Sequence, residues 1–160
     1  MTANLNQTPA TLEKLYDRDY YLWIKTTIDQ IKDRDFNLVD WDNLLEELES
    51  LVKSDKRELE NRLTVLVEHL LKLAYWEAER ENNARCWRNT IKEQRRQIGK
   101  LFKYSPSLKT FLEESFAECY ADARIDAADS SGLPVDIFPE ESPFTLEETL
   151  NPARLPERTN

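Results

Sequence analysis

The sequence predicts an all-α fold: a multihelical bundle of five main helices, with a short C-terminal helix after a proline-rich loop. Glycine is scarce, at 2 of 160 residues, whereas helix-favouring Leu, Glu, Lys and Arg are abundant. Apolar side chains recur at the three- and four-residue spacing of amphipathic helices. Apolar residues make up 40% of the chain and charged residues 33%, which is typical of a charged surface around a real core.

Two helices are expected in the first third of the chain. The first covers residues 17–33, where the side chains at helical spacing are Tyr20, Trp23, Ile24, Thr27, Ile28 and Ile31. Asp40 should cap the second, because its carboxylate can accept bonds from unpaired backbone N–H groups. The inward stripe of this second helix is expected to comprise Trp41, Leu44, Leu45, Leu48, Leu51 and Val52.

Three longer helices should form the centre. Residues 55–80 are apolar on more than one side, which predicts a helix packed from several directions. A fourth helix is expected over residues 86–103. A fifth should end near residue 129, with Ser105 as its N-cap and Pro106 in its first turn.

The ends of the chain are expected to differ from its centre. We expect a flexible N-terminal arm over 1–14, a single helical domain over 15–152 and a loose tail over 153–160. Three prolines and a glycine make residues 130–144 a surface loop. Thr145 and Glu148 then form a capping box, which predicts a short helix over 146–151.

Composition and charge exclude several classes of protein. The net charge of -9 argues against nucleic-acid or anionic-membrane binding by the whole surface. Cys86 and Cys119 have no CxxC spacing, which suits a reducing cytosol, so the expected location is cytoplasmic. The start of the sequence lacks the basic and apolar regions of a signal peptide, and no stretch approaches the roughly 18 apolar residues of a membrane span.

Several short motifs occur together and in order. They include Tyr20-Tyr21 with Trp23, Asp40 with Asn43-Leu44, His69-Leu70-Leu71-Lys72, Pro106-Ser107-Leu108, and Pro139 with Pro143-Phe144. Over residues 15–152 the chain thereby resembles the domain-of-unknown-function family 29, small all-helical bacterial proteins common in cyanobacteria. The resemblance implies an all-helical fold and no particular activity, so it informs the fold more than the function.

Arg95 is the most unusual polar residue, because it shares a helical face with Ile91 and Ile98. An unpaired buried guanidinium is very costly, so a carboxylate should meet it. Glu47, at the edge of its own apolar stripe, is the first candidate, and Glu46 is the next. The pair would be either an internal ion pair that sets helix register or part of a cleft for a small anion.

His69 is the single histidine of the chain and lies beside an apolar stripe. We expect it to be a buried residue hydrogen-bonded to a carboxylate or carbonyl, with a general-base role as the less favoured alternative. One histidine and two unclustered cysteines cannot supply the usual ligands of a zinc site. We therefore expect no metal and no cofactor.

The fourth predicted helix is basic in an acidic chain. Residues 85–103 hold seven Lys or Arg and one Glu, a local charge of +6. Arg88, Lys92, Arg96 and Lys103 share one face. This face is either exposed to solvent and neutralised by nearby acidic residues, or it is a patch that binds an acidic partner or phosphates. Nucleic acid is less expected there, because no aromatic side chains are interleaved for base stacking.

Three functions follow from these features. The leading hypothesis is a non-enzymatic cytosolic interaction module that binds a protein partner or a second copy of itself, with no membrane contact. Its contact surface would be helix four or the outer flank of helix three. The alternative is a small enzyme or binding protein for a phosphorylated or nucleotide ligand, using Arg95, Glu47 and His69. A weaker alternative is a nucleic-acid-associated factor that binds through the basic helix 85–103.

Overall fold

The computed structural model describes residues 9–156. Its α-helices are α1 (Pro9–Arg18), α2 (Tyr20–Lys32), α3 (Trp41–Tyr75), α4 (Glu77–Tyr104), α5 (Leu108–Ser131) and α6 (Leu146–Leu150). Short 3-10 turns occupy Phe36–Leu38 and Val135–Ile137. Residues 9–156 contain no β-strand, so the predicted all-α class is confirmed.

The chain divides into two compact units, residues 1–53 and residues 54–160. A single domain over 15–152 stays a prediction. Part of the predicted N-terminal arm is helical, because α1 already begins at Pro9. Residues 1–8 of that arm and 157–160 of the predicted tail lie outside the described part of the chain.

In the first unit, α2 corresponds to the helix predicted over 17–33, and α1 is an additional helix before it. Asp19 separates them, because its backbone is extended (φ -151°) and its carboxylate accepts a bond from Leu22 N at 3.0 Å. Leu12, Trp23 and Val39 are the buried apolar side chains of this unit. The Trp23 indole also donates to Asp40 Oδ2 at 3.1 Å.

Asp40 caps α3 as predicted, accepting a bond from Asn43 N at 3.4 Å. The break predicted between residues 52 and 55 is wrong, because α3 runs on for 35 residues. Neither glycine nor proline occurs there to interrupt the backbone hydrogen bonds. The true end of α3 is at Tyr75, before the predicted limit of residue 80.

The stripe predicted to face inward on the first turns of α3 is largely exposed. Its exposed members are Trp41, Leu45, Leu48, Leu51 and Val52, at 45–62% exposure. Apolar spacing identifies a helix face but not whether another element covers it. The buried side chains of the first unit come instead from α1, α2 and the residues just before α3.

In the second unit, α4 follows α3 after one non-helical residue, Trp76 (φ -92°, ψ 76°). Arg80 of α4 donates through Nε to Leu73 O at 2.9 Å and through Nη2 to Ala74 O at 2.7 Å. These bonds satisfy carbonyls that the end of α3 leaves without helical partners. The core of the unit is formed by buried side chains of α3, α4 and α5, including Leu63, Leu66, Leu70, Ile91, Ile98, Leu112 and Ala123.

The start of α5 differs from the prediction. Ser105 and Pro106 precede the helix, and Ser107 at the N-cap position makes no side-chain capping bond. A turn accounts for the delay, because Leu108 N donates to Ser105 O at 3.0 Å. At the other end, Gly132 adopts the left-handed conformation (φ 70°) that glycine tolerates, and α5 terminates there.

The proline-rich loop after α5 is fastened to that helix by two side chains. The Tyr120 hydroxyl donates to Pro139 O at 2.6 Å, and Arg124 Nε donates to Phe138 O at 2.9 Å. The predicted capping box is confirmed: Glu148 N donates to Thr145 Oγ1 at 3.1 Å, and Thr145 N donates to Glu148 Oε2 at 3.0 Å. This capping box begins α6, whose Thr149 carbonyl accepts a hydrogen bond from Arg95 of α4.

Candidate functional site

The sequence predicts a polar cluster of Glu46, Glu47, His69 and Arg95. Of these, Glu47 accepts hydrogen bonds from two tyrosines of the first unit. Tyr16 donates to Glu47 Oε1 at 2.5 Å and Tyr20 donates to Glu47 Oε2 at 2.8 Å. These hydrogen bonds favour the ionised carboxylate, so they lower the pKa of Glu47 and raise that of Tyr16 to about 12. Both carboxylate oxygens are therefore already engaged. Glu46 beside it is exposed.

His69 lies in the second unit and is partly buried. Its Nδ1 is 2.8 Å from Val65 O, so Nδ1 carries the proton and donates it to this carbonyl. The predicted hydrogen bond to a carbonyl is confirmed. Burial lowers the pKa of His69, although the neighbouring Glu68, which pairs with Lys72 at 2.5 Å, opposes this effect.

Arg95 faces inward as predicted and is only 9% exposed. Its Nε donates to the backbone carbonyl of Thr149 in α6 at 2.8 Å. Among the described residues of the second unit, no carboxylate lies within 4.0 Å of its guanidinium, and the pairing with Glu47 or Glu46 of the first unit stays a prediction. The Thr149 carbonyl is its described partner, and burial lowers the pKa of Arg95.

Of the predicted polar cluster, Glu47 and Arg95 thus have separate partners in separate units. His69 belongs to the same unit as Arg95, but it lines neither of the two cavities that Arg95 lines. Within the second unit, His69 and Arg95 therefore share no cavity, and their grouping with Glu47 stays a prediction.

On the basic face of α4, one of the four predicted cations is already paired. Arg96 binds Glu93 through both ends of its guanidinium, with Nε to Oε2 at 2.8 Å and Nη2 to Oε1 at 2.6 Å. This pairing lowers the pKa of Glu93 to about 2. Arg88, Lys92 and Lys103 are exposed, and no described carboxylate lies within 4.0 Å of them. The charge available to a partner therefore resides mainly in these three.

A cleft of about 550 Å³ opens between α4 and the segment after α6. Its basic lining is Arg88, Lys92, Arg95 and Arg96, and its apolar lining is Ile91, Leu150, Pro152 and Leu155. This volume lies within the range of roughly 300–1,000 Å³ typical of ligand sites. A second cavity of about 520 Å³ lies beside it, and its walls include Leu70, Arg95, Phe144, Glu148 and Arg154. Arg95 is common to both.

Sequence reasoning found the basic wall of the cleft but missed its apolar wall. Pro152 and Leu155 belong to or adjoin the segment expected to be a loose tail, and only three-dimensional structure brings them near α4. One sequence motif indicated part of this apolar wall. The capping box of Thr145 and Glu148 starts α6 and so fixes the approach of Leu150.

Groups that could perform covalent or metal chemistry are separated in the described chain. Burial raises the pKa of the Cys119 thiol to about 11, which keeps it protonated and a poor nucleophile. Cys86 is exposed as a free thiol. Among residues 9–156, no group of three or more His, Cys, Asp or Glu side chains could hold a metal ion.

None of the helices described has the length and apolar character to cross a membrane.

The sequence profile described as domain of unknown function DUF29 matches residues 15–155. The chain belongs to this family. The DUF29 match runs from α1 through α6 and includes both the basic face and the apolar wall of the cleft. It confirms the resemblance seen in the sequence motifs. No curated protein and no solved structure matches the chain. Since the family description gives no activity, the function has to be argued from the cleft.

Proposed function

We propose that this DUF29 chain is a non-enzymatic cytoplasmic interaction module that binds an acidic segment of a partner protein at the α4 cleft. The observation that carries the proposal is that cations without a carboxylate partner and apolar side chains line the same cleft. Arg88 and Lys92 have no described carboxylate within 4.0 Å, and Ile91 and Leu150 line the same cleft. Protein interfaces combine an apolar centre with a polar rim in this way.

Charge complementarity argues for an acidic partner. Residues 85–103 carry a local charge of +6 in a chain of net charge -9, so this stretch is a basic exception in an acidic chain. Such a patch accelerates encounter with an acidic surface and disfavours a basic one. None of the described side chains that line the cleft is aromatic, so they offer no platform for stacking bases, which makes nucleic acid the weaker alternative.

Reversing the charge of Arg88, Lys92 and Arg96 to Glu should weaken partner association by at least about tenfold at low salt, because attraction becomes repulsion. The effect should shrink as salt is raised toward about 0.5 M, where exposed charges are screened. Affinity capture with the variant as bait, followed by mass spectrometry, measures this change. Most of the loss should already appear with Arg88 and Lys92 alone, because Glu93 pairs with Arg96.

A matched control is the reversal of Lys53, Arg57 and Lys109 to Glu. These three cations are exposed and lie outside the cleft lining, and their reversal changes the net charge by the same amount. The control bait should retain the partner. Equal retention by the control and the α4 variant would rule out the cleft as the contact.

Self-association is a second candidate function, favoured by the exposed stripe of α3. Trp41, Leu45, Leu48 and Val52 follow one another at alternating spacings of four and three residues, the spacing of a helix-pairing seam. Each is at least 45% exposed. A stripe of this kind on a helix is typical of a surface that another protein covers.

If the stripe joins two copies, changing Leu45 and Leu48 to Glu should convert a dimer to a monomer, because buried carboxylates would face each other. Sedimentation velocity over a range of concentrations measures the oligomeric state. Ser50→Glu with Ser54→Glu adds the same charge to exposed positions of α3 and should leave the dimer intact. A wild-type chain that stays monomeric at high concentration removes this candidate.

A further inference from the structure

Arg95 is a buried cation with most of its hydrogen-bonding capacity unused. A guanidinium has five N–H groups, and within the described residues that of Nε alone has a partner, the Thr149 carbonyl. The side chain is 9% exposed, so water replaces the missing partners only through the cavities that it lines. A buried charge without an opposite charge is unfavourable. An anion that enters the cleft would remove this cost.

The charges around the cleft indicate how negative that anion should be. Arg96 is neutralised by Glu93, and Arg154 of the adjoining cavity is neutralised by Glu148 at 2.6 Å. Arg88, Lys92 and Arg95 remain without described carboxylate partners at the cleft, which leaves three positive charges. A phosphate monoester carries a charge of about -1.5 to -2 at neutral pH, whereas a carboxylate carries a charge of only about -1. The phosphate monoester therefore balances the three positive charges better.

We infer that the inner end of the cleft binds a phosphate monoester, with Arg95 as its anchor. Arginine suits this role because its planar fork can donate two parallel hydrogen bonds to phosphate oxygens. The bond from Nε to Thr149 O fixes the orientation of the guanidinium before the ligand arrives. Ile91, Leu150 and Leu155 then provide an apolar wall for the organic part of the ligand.

This inference rests on the proposed function, because it names the chemical group that the same cleft recognises. The phosphate monoester has two possible sources. It is either a phosphorylated side chain in the acidic segment of the partner or a free phosphorylated small molecule. Nucleoside triphosphates fit less well, because each carries more negative charge than Arg88, Lys92 and Arg95 together can balance.

Titration of the full-length protein with phenyl phosphate, followed by calorimetry and by NMR of the arginine Nε–H signals, tests the inference. We expect saturable binding at one site, a shift of the Arg95 signal, and affinity at least about tenfold above that of benzoate because of the second negative charge. Affinity should fall below about pH 6, where the phosphate takes up a proton. Absence of saturable binding, or equal affinity for benzoate, would overturn the inference.

Variants separate a ligand role for Arg95 from a structural one. Arg95→Lys keeps the charge but loses the fork, and it should weaken phenyl phosphate binding about tenfold while thermal unfolding shows a folded chain. Arg88→Met removes a cation from the cleft wall without disturbing the bond to Thr149, and it should also weaken binding. Lys100→Met, an exposed position on the same helix that is outside both the cleft lining and the basic face, is the matched control and should bind like wild type. Wild-type affinity in both cleft variants would contradict the inference.

A short acidic peptide, with and without one phosphoserine, distinguishes the two sources and separates the inference from the proposed function. Preference for the phosphorylated peptide supports the inference and identifies the partner protein as the source. Binding of phenyl phosphate without any such preference supports it with a small molecule as the source. Equal binding of both peptides with no binding of phenyl phosphate overturns the inference and leaves the proposed function standing.

Discussion

Replacing Phe138 by alanine is expected to lower the free energy of unfolding by about 3–5 kcal/mol, the usual cost of truncating a fully buried phenylalanine. Phe138 is 0% exposed, and its ring packs edge-to-face on Tyr75 with the centroids 6.2 Å apart. It also anchors the proline-rich loop, since its carbonyl accepts the bond from Arg124. Urea denaturation followed by circular dichroism measures the change.

The adjoining Ile137→Ala supplies the control, because Ile137 is 46% exposed and its truncation should change the unfolding free energy by no more than about 0.5 kcal/mol. Comparable losses for the two variants would mean that the loop does not pack through Phe138. The comparison is informative because both residues lie at the same 3-10 turn, so a general weakening of the loop would affect both.

Arg95→Ala is expected to destabilise the protein by about 1–3 kcal/mol, the cost of leaving a buried carbonyl without its partner. The partner that loses its hydrogen bond is Thr149, which is 1% exposed, so water cannot readily replace the guanidinium. An ion-pair partner would have implied a larger loss of roughly 3–5 kcal/mol. Thermal and urea unfolding distinguish these two ranges.

Two further variants test the role of Arg95 in stability. Arg96→Ala should fall within about 0.5 kcal/mol of wild type, because its pairing with Glu93 is exposed. Because Arg95 bonds to Thr149 while Glu47 bonds to Tyr16 and Tyr20, the changes Arg95→Ala and Glu47→Ala should add in the double variant. A coupling well above about 0.5 kcal/mol between them would instead support the ion pair that the sequence predicted.

The sequence predicted helices well wherever local chemistry determines them. The caps at Asp40 and Thr145 and the inward face of α4 at Arg95 depend on residues within one or two turns, and each was found as expected. The number of helices agreed partly by compensation. α1 was not predicted, while two predicted helices form the single helix α3.

The remaining differences involve contacts between residues distant in the sequence. Arg95 donates one hydrogen bond to a backbone carbonyl 54 positions away, and a backbone carbonyl has no signature in a sequence. Glu47 is engaged by Tyr16 and Tyr20, which lie on other helices. Periodicity likewise could not show that the stripe containing Leu48 stays uncovered, because that depends on what packs against it.

The central claim is that the α4 cleft is the binding surface of this DUF29 chain. Quantitative affinity capture from the cells that produce the protein tests it most directly, with wild type, the Arg88/Lys92/Arg96 reversal and the Lys53/Arg57/Lys109 reversal as parallel baits. We expect to recover partner proteins with both wild type and the control reversal. The same proteins should be missing from the α4 reversal, and about 0.5 M salt should release them from wild type. Recovery of the same proteins with all three baits would contradict the central claim.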